Sequence, residues 1–136
     1  MIRMYKSMSP NQSPTSSARF ATEWIAAWNA RDLDRILAHY ARDVEFTSPY
    51  VRRMLDRNRD TLHGIAVLRV YFSRALNAYP DLWLILRRVY AGPRSLVIEY
   101  ESVSNSPAAE LMEFNDAGLV IRAIAHYAVN DTQATG

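Results

Sequence analysis

The hydrophobic period of this chain changes at Pro80, and that change restricts its architecture more than any other feature. Upstream, apolar residues recur at helical spacing. Phe20, Trp24, Ala27 and Trp28 form one stripe, Leu33, Ile36, Leu37 and Tyr40 a second, and Ile65, Leu68, Tyr71, Phe72, Ala75, Leu76 and Tyr79 a third, broader one. Downstream the period is two. Leu82, Leu84 and Leu86 alternate with Trp83, Ile85 and Arg87, and Leu96, Ile98 and Tyr100 with Val97, Glu99 and Glu101. Glu110, Met112 and Phe114 share one face against Leu111 and Glu113, and Ile121, Ala123, Ala125 and Tyr127 share one against Arg122 and His126. Gly92-Pro93, Ser104 to Pro107 and Asn115 to Gly118 supply the turns. Helices first and a meander of antiparallel strands afterwards make an α+β protein, since alternation of the two would be needed for a parallel α/β sheet.

The helical half has readable joints. Ser16 or Ser17 is placed to cap the first helix, Asn29-Ala30-Arg31 breaks it, and the Asp32 carboxylate can cap a second helix running to about Tyr40. Val44 to Ser48 then alternates as a short strand that stops at Pro49. A third helix follows Gly64 and ends at Pro80. Between them, Tyr50 to Asp60 carries Arg52, Arg53, Arg57 and Arg59 against Asp56 and Asp60, which reads either as a solvated loop or as a rim that admits an anionic substrate. Polar, proline-bearing residues 1–15 and polar residues 130–136 read as tails around one domain at 16–129.

Several function classes drop out. A net charge of +2 with dispersed arginines gives no nucleic-acid footprint. The absence of cysteine removes disulfides, thiolate metal sites and thiol catalysis. No histidine pair stands at metal-binding spacing, so no metal or other cofactor is expected. No apolar run approaches the roughly 18 residues of a membrane span, and no secretory leader is evident, so a cytoplasmic location is expected.

Four segments together resemble a known family: W-N-A-R-D-L-D followed by Tyr40, A-R-D-V-E-F-T-S-P, the His63-Gly64 pair opening the third helix, and F-N-D-A-G-L-V in the last hairpin. Over residues 16–128 the chain resembles the SnoaL-like branch of the NTF2-like superfamily, which includes ketosteroid isomerases, polyketide cyclases, limonene epoxide hydrolase and scytalone dehydratase. The resemblance implies a cone in which three N-terminal helices pack on a curved, mixed but mostly antiparallel sheet, with an open end leading to an apolar pocket. It also implies where an isomerase site would fall. The usual carboxylate base corresponds to Ser48, the usual tyrosine to Trp24 and the usual protonated acid to Glu110. Ser48 cannot take a proton from carbon at neutral pH, and Trp24 donates but cannot shuttle, so steroid-type enolisation by the usual residues is not expected. The aspartate that serves polyketide cyclases corresponds to the neighbourhood of His126-Tyr127-Ala128, with Asp131 only in the tail.

Glu110 is the first candidate for catalysis, because strand alternation turns it toward the apolar concavity, where burial would raise its pKa toward neutrality. The other reading makes it one member of a structural network with an arginine, tyrosine or tryptophan. Trp24, Tyr40 and Ser48 are candidates for orienting a substrate, and His63 either transfers protons near the mouth or merely caps a helix. By resemblance, Phe72, Ile98, Tyr100, Met112, Phe114, Ala123, Ala125 and Tyr127 are pocket positions, and the plain alternative is that they fill the core. The expected ligand is a small hydrophobic carbonyl or hydroxyl compound, handled by isomerisation, cyclisation or dehydration. The rival is a non-catalytic binding or pairing module. In either case Trp83, Ile85, Val97, Leu111, Val120 and Ile124 on the outer sheet face point to a homodimer.

Overall fold

A computed structural model describes residues 14–129; the two expected tails fall almost entirely outside that range. Helix α1 spans Pro14–Asn29. It opens on the proline rather than after Ser16 or Ser17, in keeping with proline's preference for a helix's first turn, and Ser17 is buried within the helix. Arg31 (φ 57°) reverses the chain, and Asp32 caps α2, Leu33–Leu37, by accepting from the Arg35 amide at 3.1 Å. This second helix is shorter than its stripe suggests. Strand β1, Tyr40–Thr47, starts at the last residue of that stripe, because the His39 carbonyl already accepts from the Val120 amide and draws the chain into the sheet.

The arginine-rich segment is only partly a loop. Residues Tyr50–Met54 form the short helix α3, and Thr61–His63 adds an edge strand, β2. The long helix α4 covers Ile65–Ala78. Gly64 enters it at φ 96°, ψ 150°, a conformation that essentially only glycine adopts, while its amide donates to the Val44 carbonyl at 2.8 Å. Strands β3 (Ile85–Gly92), β4 (Ser95–Glu101), β5 (Pro107–Phe114) and β6 (Val120–Tyr127) then complete the molecule, with a 3₁₀ turn at Val103–Asn105. Among the described residues there are thus four α-helices, one more than expected, on a curved and unclosed sheet.

The sheet order is β2-β1-β6-β5-β4-β3, and only the β1–β6 pairing is parallel. Its inner face is built in rows. Tyr100, Ala108 and Tyr127 form one; Ile98, Glu110 and Ala125 the next; Leu96, Met112, Ala123 and Phe46 a third; and Phe114, Val120 and Tyr40 the last. A bulge where Glu113 and Phe114 meet β6 reverses the expected facing of two residues. Val120 is fully buried instead of lying on the outer face, and Ile121 becomes the half-exposed extra residue. Helices α1 and α4 cover these rows with Trp24, Trp28, Leu68 and Phe72, all buried. No helix among the described residues is long and apolar enough to cross a membrane.

Candidate active site

At the end of the sheet marked by Tyr100 and Tyr127 the cone is not filled. A hollow of about 80 Å³ remains, with an open mouth. Its buried wall comprises Trp24 and Trp28 of α1, Tyr71 of α4, Leu84, Tyr100 and Glu110. Half-exposed Tyr50, Met54, Tyr79, Leu82 and Val103 ring the mouth.

Among the described residues Glu110 is the only carboxylate in this wall, and it is 4% exposed. It accepts a hydrogen bond from the Tyr100 hydroxyl at 3.0 Å. Burial pushes its carboxyl up to about 7, and the tyrosine bond only partly opposes that. The neighbouring phenols respond in turn. Burial, followed by the nearness of Glu110, raises Tyr40 and Tyr100 well above the ordinary tyrosine range. Tyr71 is pushed up to about 12, first by burial. The site therefore combines one acid that titrates near neutrality with hydroxyls that keep their protons.

Trp24 donates its indole N–H to the Tyr40 hydroxyl at 2.9 Å, which leaves the Tyr40 proton available to a further acceptor. Ser48 is wholly buried behind the wall, where its Oγ accepts from the Tyr50 amide at 3.2 Å and lies 3.4 Å from the Tyr71 hydroxyl. That second contact is long for an O–H donor, so Tyr71 is not held firmly and can turn to a ligand oxygen. Trp28, which borders the hollow, has an indole N–H with no hydrogen-bond partner among the described residues.

Of the residues singled out from the sequence, Trp24, Tyr100, Glu110 and Tyr127 meet around the hollow. Tyr40 and Ser48 stand behind it and reach it through Trp24 and Tyr71. Ile98 and Ala125 flank Glu110 in its own row, while Met112, Ala123, Phe114 and Phe72 pack the closed base of the cone. His63 lies elsewhere. Its side chain is 71% exposed and ends an outer-face charge ladder that runs through Glu45 and Arg122 to Glu113, at 3.9, 3.4 and 3.2 Å. It does not cap α4 either, since Gly64 intervenes. His39, which precedes Tyr40, is largely buried against Phe20 and lies 3.6 Å from Glu23. Sequence reasoning missed Trp28, Tyr50 and Tyr71 as wall residues. Tyr71 carried the clearest signal, since it sits beside Phe72 in the widest part of the α4 stripe. Among the described residues, no three His, Asp or Glu side chains gather in a way that would hold a metal ion.

The SnoaL-like domain family matches residues 21–136. The chain belongs to that family. A solved SnoaL-like protein of unknown function from Burkholderia thailandensis is 35% identical and superposes with a TM-score of 0.82, over 87% of this chain and 98% of that one. A proposed isomerase of the SnoaL-like family from Agrobacterium tumefaciens is 14% identical, with a TM-score of 0.69 over 85% of this chain and 99% of that one. An NTF2-like protein of unknown function from Cytophaga hutchinsonii is 9% identical, with a TM-score of 0.63 over 82% and 89%. The last two likenesses concern the fold alone, and they agree with the NTF2-like cone described above. No curated protein matches the sequence.

Proposed function

We propose that this SnoaL-like protein is a cofactor-free proton-transfer enzyme that enolises, and so isomerises, a small carbonyl compound held in the hollow. The observation that carries this reading is Glu110, a carboxyl group buried in an aromatic wall with its pKa raised to about 7. A base poised near the working pH combines a useful ionised fraction with a real driving force for accepting a proton. In the proposed step the ionised Glu110 takes a proton from the carbon next to the carbonyl. The C–H electrons move into the new C–C double bond, and the carbonyl oxygen gains the negative charge. Tyr71 is placed to donate to that oxygen, and its own proton is secure because its pKa is about 12. Where the substrate carries a β,γ double bond the enolate is a dienolate, and Glu110 then returns the proton to its γ carbon, which shifts the double bond into conjugation with the carbonyl without loss or gain of atoms.

The test is α-proton exchange of a panel of short-chain ketones in deuterated water, followed by NMR. Glu110→Gln keeps the shape and a hydrogen-bond acceptor for Tyr100 but cannot take up a proton. Its exchange rate is expected to fall roughly 10²–10⁴-fold. The wild-type rate is expected to rise through about pH 7 as Glu110 ionises. An unchanged rate in the variant would leave the hollow as a binding site without catalysis.

We also propose that the protein works as a homodimer paired through the outer sheet face. Supporting this, Tyr90, Val97, Leu111, Ile124 and Thr47 lie in direct register across five strands on that face. They form an apolar row beside the charge ladder that ends at His63.

A further inference from the structure

The hollow is too small for the kind of ligand that its wall invites. Its volume is about 80 Å³, roughly half that of an engineered apolar cavity of about 150 Å³ that holds benzene. Only a short oxygen-bearing head can sit beside Glu110, so the remainder of the ligand must leave through the mouth. What it meets there is set by α3. Tyr50 and Met54 line the mouth, and exposed Arg53 holds its guanidinium 5.1 Å from the centre of the Tyr50 ring. The two acids of this segment are already engaged, Asp60 by Arg52 at 3.7 Å and Asp56 by Arg59 at 3.0 Å. Arg53, and Arg57 in the exposed turn three residues beyond Met54, have no acidic partner among the described residues. Arg74, next to the lining residue Ala75, gives its guanidinium to the Met54 carbonyl at 3.1 Å and adds a third positive charge. Asp81, next to the mouth residue Leu82, has no ion pair among the described residues.

We infer that the ligand is an anionic amphiphile whose carbonyl-bearing head enters the hollow while a carboxylate stays at the rim on Arg53 and Arg57. The orientation follows from charge. An anionic group beside buried Glu110 would bring two like charges into a poorly solvated space, whereas the rim offers unpaired guanidinium groups whose fork matches a carboxylate. Arg53 is thus a specificity determinant that acts on the part of the ligand away from the reacting carbon. The inference rests on the hollow being the binding site and is independent of whether Glu110 moves a proton.

The experiment uses two probes of equal length, 7-oxooctanoate and its methyl ester, titrated against the intrinsic fluorescence of Trp24 and Trp28. The acid is expected to bind at least about tenfold tighter than the ester at low ionic strength, with the advantage fading at roughly 0.5 M salt. In Arg53→Gln/Arg57→Gln the acid is expected to fall to the affinity of the ester, while the ester is unchanged. In Arg53→Lys/Arg57→Lys, which keeps the charge, much of the advantage is expected to return. Equal binding of the two probes by the wild type, no binding of the acid, or an acid preference that survives in the glutamine pair would each overturn the inference. Glu110→Gln serves as the separating control. Loss of α-proton exchange alongside an intact acid preference is expected, and failure of the exchange assay alone would sink the proton-transfer reading without touching this one.

Discussion

Glu110 weakens the fold that contains it, and the sign of that effect can be worked out. Its folded-state pKa of about 7 lies above the unfolded value of 4.5. Below pH 4.5 the group is protonated in both states and contributes no difference. Between these values the unfolded chain releases a proton that the folded chain must keep, so stability falls as pH rises, and above about 7 the full penalty applies. Its size is roughly 3 kcal/mol. Urea unfolding of wild type and Glu110→Gln is therefore expected to give similar stabilities near pH 4.5 and a variant that is more stable by up to that amount at pH 8. Curves that stay parallel across the range would show that Glu110 is solvated or paired. At this scale the sequence was informative where the period of two ran unbroken, and it misled at Val120 and Ile121, where a bulge shifts the register. Alternation turned Glu110, Tyr100 and Tyr127 inward, and the structure has them there. It was uninformative for His63, because nothing in the His-Gly pair distinguishes a mouth from the outer end of a charge ladder. Tyr71 and Trp28 were visible as helix-stripe residues, but the stripe does not tell which of its members face a void.

Asn29 illustrates what element-level reading leaves out. From the sequence it is a helix breaker; in the structure it ties α1 to the approach of β3. Its side-chain amide donates to the Leu84 carbonyl at 2.9 Å, and its carbonyl oxygen accepts from the Leu84 amide at 2.7 Å, reproducing the pairing of a strand neighbour. Leu84 is buried and belongs to the wall of the hollow. Asn29→Ala removes both bonds and leaves a part-buried backbone pair without its partner, so a loss of about 1–2 kcal/mol is expected in chemical unfolding. A loss below about 0.5 kcal/mol would mean that water replaces the clasp. The boundaries that failed did so for tertiary reasons of the same kind. Tyr40 has helical spacing to Leu37 and Ile36 but is taken by the parallel pairing of β1 with β6. Helix α3 was hidden by its arginines, which suit a loop equally well. Only Val51 is fully buried on it, too little for a periodic signal. The Pro80 change of period, Asp32 as a cap and Gly64 as the entry to α4 were legible because each rests on local chemistry.

The molecule as a whole has one face on which apolar and charged rows lie side by side, and that arrangement decides how two copies would meet. Leu111 pairs with Val97 on one side and Ile124 on the other, with all three half-buried, and Tyr90 extends the row at 49% exposure. The neighbouring row carries Glu45, Arg122 and Glu113. A two-fold axis through such a face sets apolar row against apolar row and lets charges of opposite sign meet at the edges, whereas a shifted register would bring like charges together. The hollow opens at the end of the cone and not on this face, so pairing leaves the mouth clear. Sedimentation equilibrium at mid-micromolar concentration is expected to give a two-chain mass for the wild type. Leu111→Lys/Ile124→Lys is expected to give a one-chain mass with an unchanged far-ultraviolet circular dichroism spectrum, because both side chains point away from the core. It should also retain α-proton exchange, since no outer-face residue lines the hollow. A wild type that sediments as a monomer would end the pairing proposal. A lysine variant that is monomeric and has lost exchange would mean that the second copy shapes the site, and the rows of the two faces would then have to be read as one structure.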